Sequence, residues 1–287
     1  MNNSTIRIVA GIASVFEAGI GSARVRAGFR ALAFALLFFF PFGVGFLSFK
    51  LLPDSLSWLA SVSIAMYAVL MLLSELRAQK AAAVFATLLF IGLTVFLAEW
   101  ASVHTGFPFG SYRYTDALGA SVGGVPVAIV LAWYSLLLGA WRISRMLTRH
   151  LPGRVRRGAG PLVAATLMLL LDLVMEPIAV YRLGYWTWDS GNIPLSNYAT
   201  WIVLSGALAF VLDLVFDRSE ASRDARVQRA LCATSALVFV MQLSLFAITG
   251  LAAGFFIEAL LALLLTALLL AHFLMERAGD SMLGTAA

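Results

Sequence analysis

The sequence is poor in charge, in histidine and in cysteine, and each shortage excludes something. Only 12% of its 287 residues are Asp, Glu, Lys or Arg, against 61% hydrophobic. With a mean hydropathy of +0.92, this balance lies outside that of water-soluble globular domains. The single cysteine, Cys232, rules out an internal disulfide and any cysteine-built metal site. The three histidines, His104, His150 and His272, stand far apart, so the histidine-rich set of a membrane di-iron oxygenase is missing. No Gly-x-Gly-x-x-Gly follows a strand-like run, and no P-loop or Ser-His-Asp pattern occurs. No Asp-rich stretch offers a site for Mg²⁺ and diphosphate. What remains is acid–base chemistry on a lipid-soluble molecule, needing neither cofactor nor metal, or transport.

What the chain does have is long apolar runs. A bilayer span takes about 20 mostly apolar residues. Eight such runs can be read, at roughly 31–49, 56–74, 81–98, 123–141, 161–180, 201–216, 231–249 and 251–274. The sixth is short and carries Asp213, and a very tight turn at Gly250 separates the last two. The runs are continuously apolar rather than alternating, which predicts helices and not a barrel. The expected fold is all-α: a polytopic membrane bundle of about eight helices forming one domain over 31–274. A basic membrane-surface segment, 1–30, precedes it; apolar residues there are interrupted by Glu17, Arg24, Arg26 and Arg30, without a convincing signal-peptide cleavage site. A short tail, 275–287, follows.

Basic residues in loops set orientation, and acids hardly count. With eight spans, seventeen of the twenty Lys and Arg fall on one side, leaving Lys50, Arg113 and Arg182 on the other. Both termini are therefore expected in the cytoplasm. The basic pI of about 9.7 suits anionic lipid headgroups rather than nucleic acid, because the charges sit in the connecting loops.

Two loops on the opposite, non-cytoplasmic side resemble each other. Gly110, Tyr112, Tyr114 and Asp116 match Gly184, Trp186, Trp188 and Asp189, with one residue of slack before the Asp. Each loop follows an apolar run bearing a glutamate, Glu99 or Glu176, and each leads to a Pro with a Trp seven residues on: Pro126 and Trp133, Pro194 and Trp201. The pattern suggests a parallel repeat of spans three–four and five–six, with a site at the interface of the halves.

Five carboxylates lie within or at the ends of spans, away from the charged loops: Glu99, Asp172, Glu176, Asp213 and Glu258. Acids beside lipid are costly and usually mark a site. Asp172 and Glu176 are four apart and share one helix face. A carboxyl group in low dielectric resists ionising, and two close together separate an acid from a base. The structural alternative is that these acids tie helices together by accepting hydrogen bonds from Tyr and Trp. Asp213, near the cytoplasmic end, and Glu258, without a sequence partner, read as structural. Tyr112, Tyr114, Trp186 and Trp188 are either interfacial-belt aromatics or ring faces that stabilise a cation. His104 lies in the loop near Glu99.

At these loops the chain resembles the membrane carotenoid biosynthesis family that includes the CruF-type carotenoid 1',2'-hydratases and bisanhydrobacterioruberin hydratase. The likeness is carried by Glu99-Trp100, by Thr105 to Tyr114, by Gly124-Val125-Pro126 and by Trp133. It continues in Asp172 to Pro177, Gly184 to Trp188, Pro194 and Asn197-Tyr198. The second loop departs from a Gly-Val-Pro, reading Asn192-Ile193-Pro194. The resemblance implies an enzyme of a bacterial or archaeal cell membrane that adds water across the terminal double bond of an acyclic carotenoid. It also implies a lipophilic carotenoid, membrane lipids and other enzymes of the pathway as partners. On that reading Asp172 and Glu176 form the acid and water-activating pair and Glu99 is the alternate acid. Tyr112, Tyr114, Trp186, Trp188, His104 and Asn197 contact the substrate. A carotenoid cyclase, which captures the same cation with a double bond, and a small-solute or lipid transporter, with the acids as proton relays, are the alternatives.

Overall fold

The computed structural model describes residues 23–51, 53–216 and 225–284. Most of the surface segment expected over 1–30 lies outside them. Eight helices occupy the eight apolar runs among the described residues: α1 (Ala23–Ser48), α2 (Leu59–Leu76), α3 (Ala81–Thr105), α4 (Val127–Leu147), α5 (Gly153–Pro177), α6 (Leu195–Phe216), α7 (Ala225–Ala253) and α8 (Phe256–Gly284). The first seven are long and apolar enough to cross a membrane, and α8 carries an apolar stretch over Phe256–His272. The protein is an all-α polytopic membrane bundle.

The ends of the helices follow from local chemistry. Pro126 and Pro152 directly precede α4 and α5, where a missing N–H costs no intrahelical bond and the fixed φ suits a start. The sixth helix is longer than its apolar run because it starts at Leu195, just after Pro194. The last two helices are divided at Gly254, in the left-handed region with φ +89°, and not at Gly250. Gly250 lies inside α7, where a Cβ would meet Ile178 Cδ1 at 2.6 Å. It is a packing contact, and four residues later the chain turns on the glycine that can take positive φ. Helix α5 continues as a π-helical segment, Ile178–Leu183.

Helix α4 is the centre of the bundle. Trp133, Tyr134, Leu136, Leu137, Leu138, Ala140, Trp141 and Ile143 are all buried, and α2, α3, α5 and α7 pack around it. The outer helices turn large apolar residues outward, such as Phe34, Leu89, Val203 and Ile257, each at least 70% exposed. In a bilayer those faces meet acyl chains. Away from the aromatic loops, Arg142 of α4 donates through Nε and Nη2 to both carboxylate oxygens of Glu75 on α2, at 2.9 and 2.6 Å. Both residues are almost fully buried. Nearby, Asp213 accepts from Trp141 Nε1 at 2.8 Å and Arg145 Nη1 at 2.9 Å, which accounts for an acid near that end of α6.

The two like loops pair with each other, a relationship the sequence did not disclose. Strand β1 (Tyr112–Tyr114) and strand β4 (Trp186–Trp188) form an antiparallel ribbon with Tyr112 opposite Trp188 and Tyr114 opposite Trp186. A smaller hairpin, β2 (Ser121–Val122) with β3 (Val125–Pro126), leads into α4. The close approach of the loops depends on Gly110, with φ +130°. A Cβ there would stand 2.7 Å from Pro194 Cγ and 3.0 Å from Trp188 Cζ3, so a larger residue would push the loops apart.

Candidate active site

The ribbon hangs its aromatic side chains over two buried glutamates. Glu99 lies on α3, six residues before the end of that helix, and is 4% exposed. Its Oε2 accepts from the hydroxyls of Tyr112 and Tyr114, the latter at 2.8 Å. Its Oε1 accepts from Trp133 Nε1 at 3.2 Å. Glu176, near the end of α5, is 2% exposed. Its Oε1 accepts from both Trp186 Nε1, at 2.8 Å, and Trp188 Nε1, at 2.7 Å. Each half of the repeat thus uses the alternating aromatics of its own strand to hold its own glutamate.

The correspondence extends further. Trp133 and Trp201, the two tryptophans seven residues after their prolines, stack on one another with centroids 4.1 Å apart and planes at 22°. Rings from opposite strands also meet: Tyr112 with Trp188 at 4.8 Å, and Tyr114 with Trp186 at 5.9 Å. The likeness read from the sequence is a spatial one.

The halves differ at Asp172. It is fully buried and lies one turn below Glu176. Its Oδ2 accepts from Asn197 Nδ2 at 2.9 Å, while its Oδ1 has no partner among the described residues. The matching positions of the first half, four before Glu99 and three after Pro126, are Val95 and Ile129. A polar pair in one half therefore replaces an apolar pair in the other. An unmatched buried carboxylate oxygen is expensive, so this departure from the repeat calls for a reason beyond packing.

Glu99 and Glu176 line one cleft, part of it open to the outside. Its walls are mainly apolar and aromatic, including Tyr67, Phe109, Tyr112, Trp133, Trp186 and Trp201, with Asn197 and Gln242 adding amides. Such a cleft, apolar with a few polar groups converging, is what an oily ligand requires. Asp172 is not part of its lining; it stands behind Glu176, so the two acids of α5 do not face the cleft together. His104 does not line the cleft either. It is exposed, its Nδ1 2.8 Å from Trp100 O and its ring against Trp100.

The tyrosines of the ribbon are held as donors. Burial, followed by the nearby Glu99 charge, pushes the Tyr112 and Tyr114 hydroxyls well above the usual phenol range. Arg113, between them, points away and pairs with Asp189 across the ribbon at 3.0 Å in an exposed contact of small energetic weight. The matched acids Asp116 and Asp189 therefore differ in use: Asp116 opens a short helical turn after Thr115.

Two lining features lacked a sequence reading. Trp133 was visible as one of the paired tryptophans but not as a donor to Glu99. Gln242 sits in an otherwise apolar helix far from the motifs, without any local signal.

The description of the carotenoid biosynthesis protein family matches residues 56–269, and so takes in both glutamates, the ribbon and most of the cleft. The chain belongs to this family. This carotenoid biosynthesis protein is 33% identical over 135 residues to bisanhydrobacterioruberin hydratase of Haloarcula japonica. That stretch covers 45% of the chain and 44% of the relative, so the match spans less than half the relative's length. No solved structure matches.

Proposed function

We propose that the protein hydrates the terminal double bond of an acyclic carotenoid end group within the membrane. The observation that carries this reading is the pair of buried glutamates, each fixed by aromatic donors and both facing one apolar cleft. Membership of a carotenoid biosynthesis family and likeness to a hydratase support it.

In this mechanism Glu176 is the acid. Both indoles bind its Oε1, which leaves Oε2 without a donor among the described residues and free to carry a proton. The proton goes to the less substituted alkene carbon, and the positive charge forms on the carbon bearing two methyls. Ring faces of Tyr112, Tyr114, Trp186 and Trp188 stabilise that cation. Water attacks it and gives its proton to Glu99, whose two oxygens are already fixed in place by three donors. Return of that proton to Glu176 completes the cycle. Asp172 supports Glu176 from behind, with Asn197 holding its orientation, and His104 has no part in the chemistry. The apolar walls exclude other nucleophiles from a reactive cation.

The uneven distribution of Lys and Arg supports a reading in which the ribbon and cleft lie on the non-cytoplasmic side of a bacterial or archaeal cell membrane. Polyene can reach the cleft there from lipid, and water from the surface.

The decisive experiment is expression in a host that accumulates lycopene, with chromatography, mass and absorption spectra of the pigments. The expected product is more polar, heavier by one or two waters, and unchanged in absorption. An isomer of unchanged mass with shifted absorption would establish cyclisation instead.

A further inference from the structure

The cleft is not walled evenly. Of the residues that line it, the exposed ones are Phe46 on α1 and Leu59 and Ser63 on α2. The sides built from α3 to α7 and the ribbon are buried or half-buried. The mouth among the described residues therefore lies at the seam of α1 and α2, beside the exposed apolar residues of α1.

A row of rings leads to this mouth. Phe34, Phe38, Phe42 and Phe46 recur every four residues on one face of α1. They are 72%, 54%, 53% and 44% exposed. Phe34 and Phe38 lie 6.3 Å apart between centroids, and Phe38 and Phe42 5.8 Å. Phe46 ends the row inside the cleft lining. Twelve residues of helix extend about 18 Å, a length suited to a stretched polyene. Gly43, at the mouth, has nothing within 4 Å of where a Cβ would stand, so the entrance is open at that point.

We infer that a long polyene enters from the bilayer through the α1–α2 seam, its end group in the cleft and its tail lying along the phenylalanine row of α1. This rests on the reading that the substrate is a long chain reacting at its end. The seam admits the end without requiring the whole molecule to leave lipid. The row favours flat, conjugated tails, because ring faces stack on them better than on saturated acyl chains.

The test uses the full chain in lipid nanodiscs. Binding of lycopene is read by quenching of tryptophan fluorescence, since Trp133 and Trp201 line the cleft. Turnover is followed by mass for lycopene and for a short acyclic isoprenoid with the same end group. Gly43→Trp, which fills the mouth, should reduce binding of lycopene and turnover of both substrates at least tenfold, with thermal unfolding unchanged. Gly43→Leu serves if the larger ring disturbs folding. Phe34→Ala combined with Phe38→Ala, both at exposed positions, should weaken lycopene binding and kcat/KM about five- to tenfold and leave the short substrate unchanged. Wild-type lycopene binding in the glycine variants, or equal effects of the phenylalanine variant on long and short substrates, would overturn the inference. If lycopene binds with this pattern but no hydrated product forms, the hydration reading fails and the portal stands.

Discussion

Tyr112 stands opposite Trp188 in the ribbon, yet each serves a different glutamate. The Tyr112 hydroxyl donates to Glu99 and the Trp188 indole to Glu176, and their rings touch at 4.8 Å. The two carboxyl groups are thereby coupled through one pair of side chains.

Glu176→Gln keeps an acceptor for both indoles but cannot deliver a proton. The protein should fold and reach the membrane normally, while hydrated product falls by about 10²–10⁴-fold. Full activity in a folded variant would remove Glu176 from the mechanism. Glu99→Gln should also abolish most turnover, through loss of the base.

Trp188→Phe retains an aromatic face and removes one donor from Glu176. Loss of one hydrogen bond to a buried, protonated carboxyl group that keeps a second donor costs about 0.5–1.5 kcal/mol. Thermal unfolding in detergent should fall measurably, and activity should drop much less than in Glu176→Gln. A variant as inactive as Glu176→Gln would assign the indole a direct part in the reaction.

Asp172 and Asn197 can be returned to the pattern of the first half. Asp172→Val alone strands the Asn197 amide and should cost about 1–3 kcal/mol. Adding Asn197→Ile should recover most of that stability, because both members of the pair are then apolar. Activity should not recover. A double variant with wild-type turnover would reduce this pair to a structural tie.

Tyr112 and Tyr114 have hydroxyls raised above the ordinary phenol range by burial and by Glu99. A group whose folded pKa exceeds its unfolded value contributes stability that is complete below the unfolded pKa and is lost as pH climbs toward the folded one. Stability from these two residues should hold to about pH 10 and decline above it. In the folded protein the phenolate absorbance near that pH should report fewer than the seven tyrosines of the chain, the remainder appearing on unfolding. Seven tyrosines titrating together in the folded state would contradict the placement of the ribbon.

Glu75 and Arg142 form an ion pair well removed from the cleft. Removing one partner leaves a buried charge, and Glu75→Gln should destabilise the fold by about 3–5 kcal/mol. The fraction that folds should hydrate at the wild-type rate.

The eight helices were legible because long apolar runs have few other solutions in a bilayer. The repeat was legible at Tyr112 and Trp186, since motif spacing survives in one dimension. That β1 pairs with β4 was not, because a contact between residues more than seventy apart depends on where α3 to α6 bring the loops. The withdrawal of Asp172 from the cleft has a local cause that spacing conceals. Two helical residues four apart share a face only to within about 40° and lie about 6 Å apart along the axis, enough to bring one acid to the cleft and leave the other behind it. Gly250 and Gly254 differ only in their surroundings: packing against Ile178 keeps the first helical, and the turn moves to the second.

The ribbon also has a mechanical side. It clips together the α3–α4 and α5–α6 hairpins at the end that carries the aromatic loops, while the short link from Leu147 to Gly153 joins them at the opposite end. Fastened at both membrane faces, the hairpins resist sliding past one another. Helices α1 and α2 carry no strand pairing among the described residues; α2 is held instead by side chains, Ser61 Oγ donating to Leu118 O at 2.7 Å and Glu75 pairing with Arg142. The same fastening fixes the spacing of Glu99 and Glu176, each tied to the ribbon through the aromatic residues of its own strand.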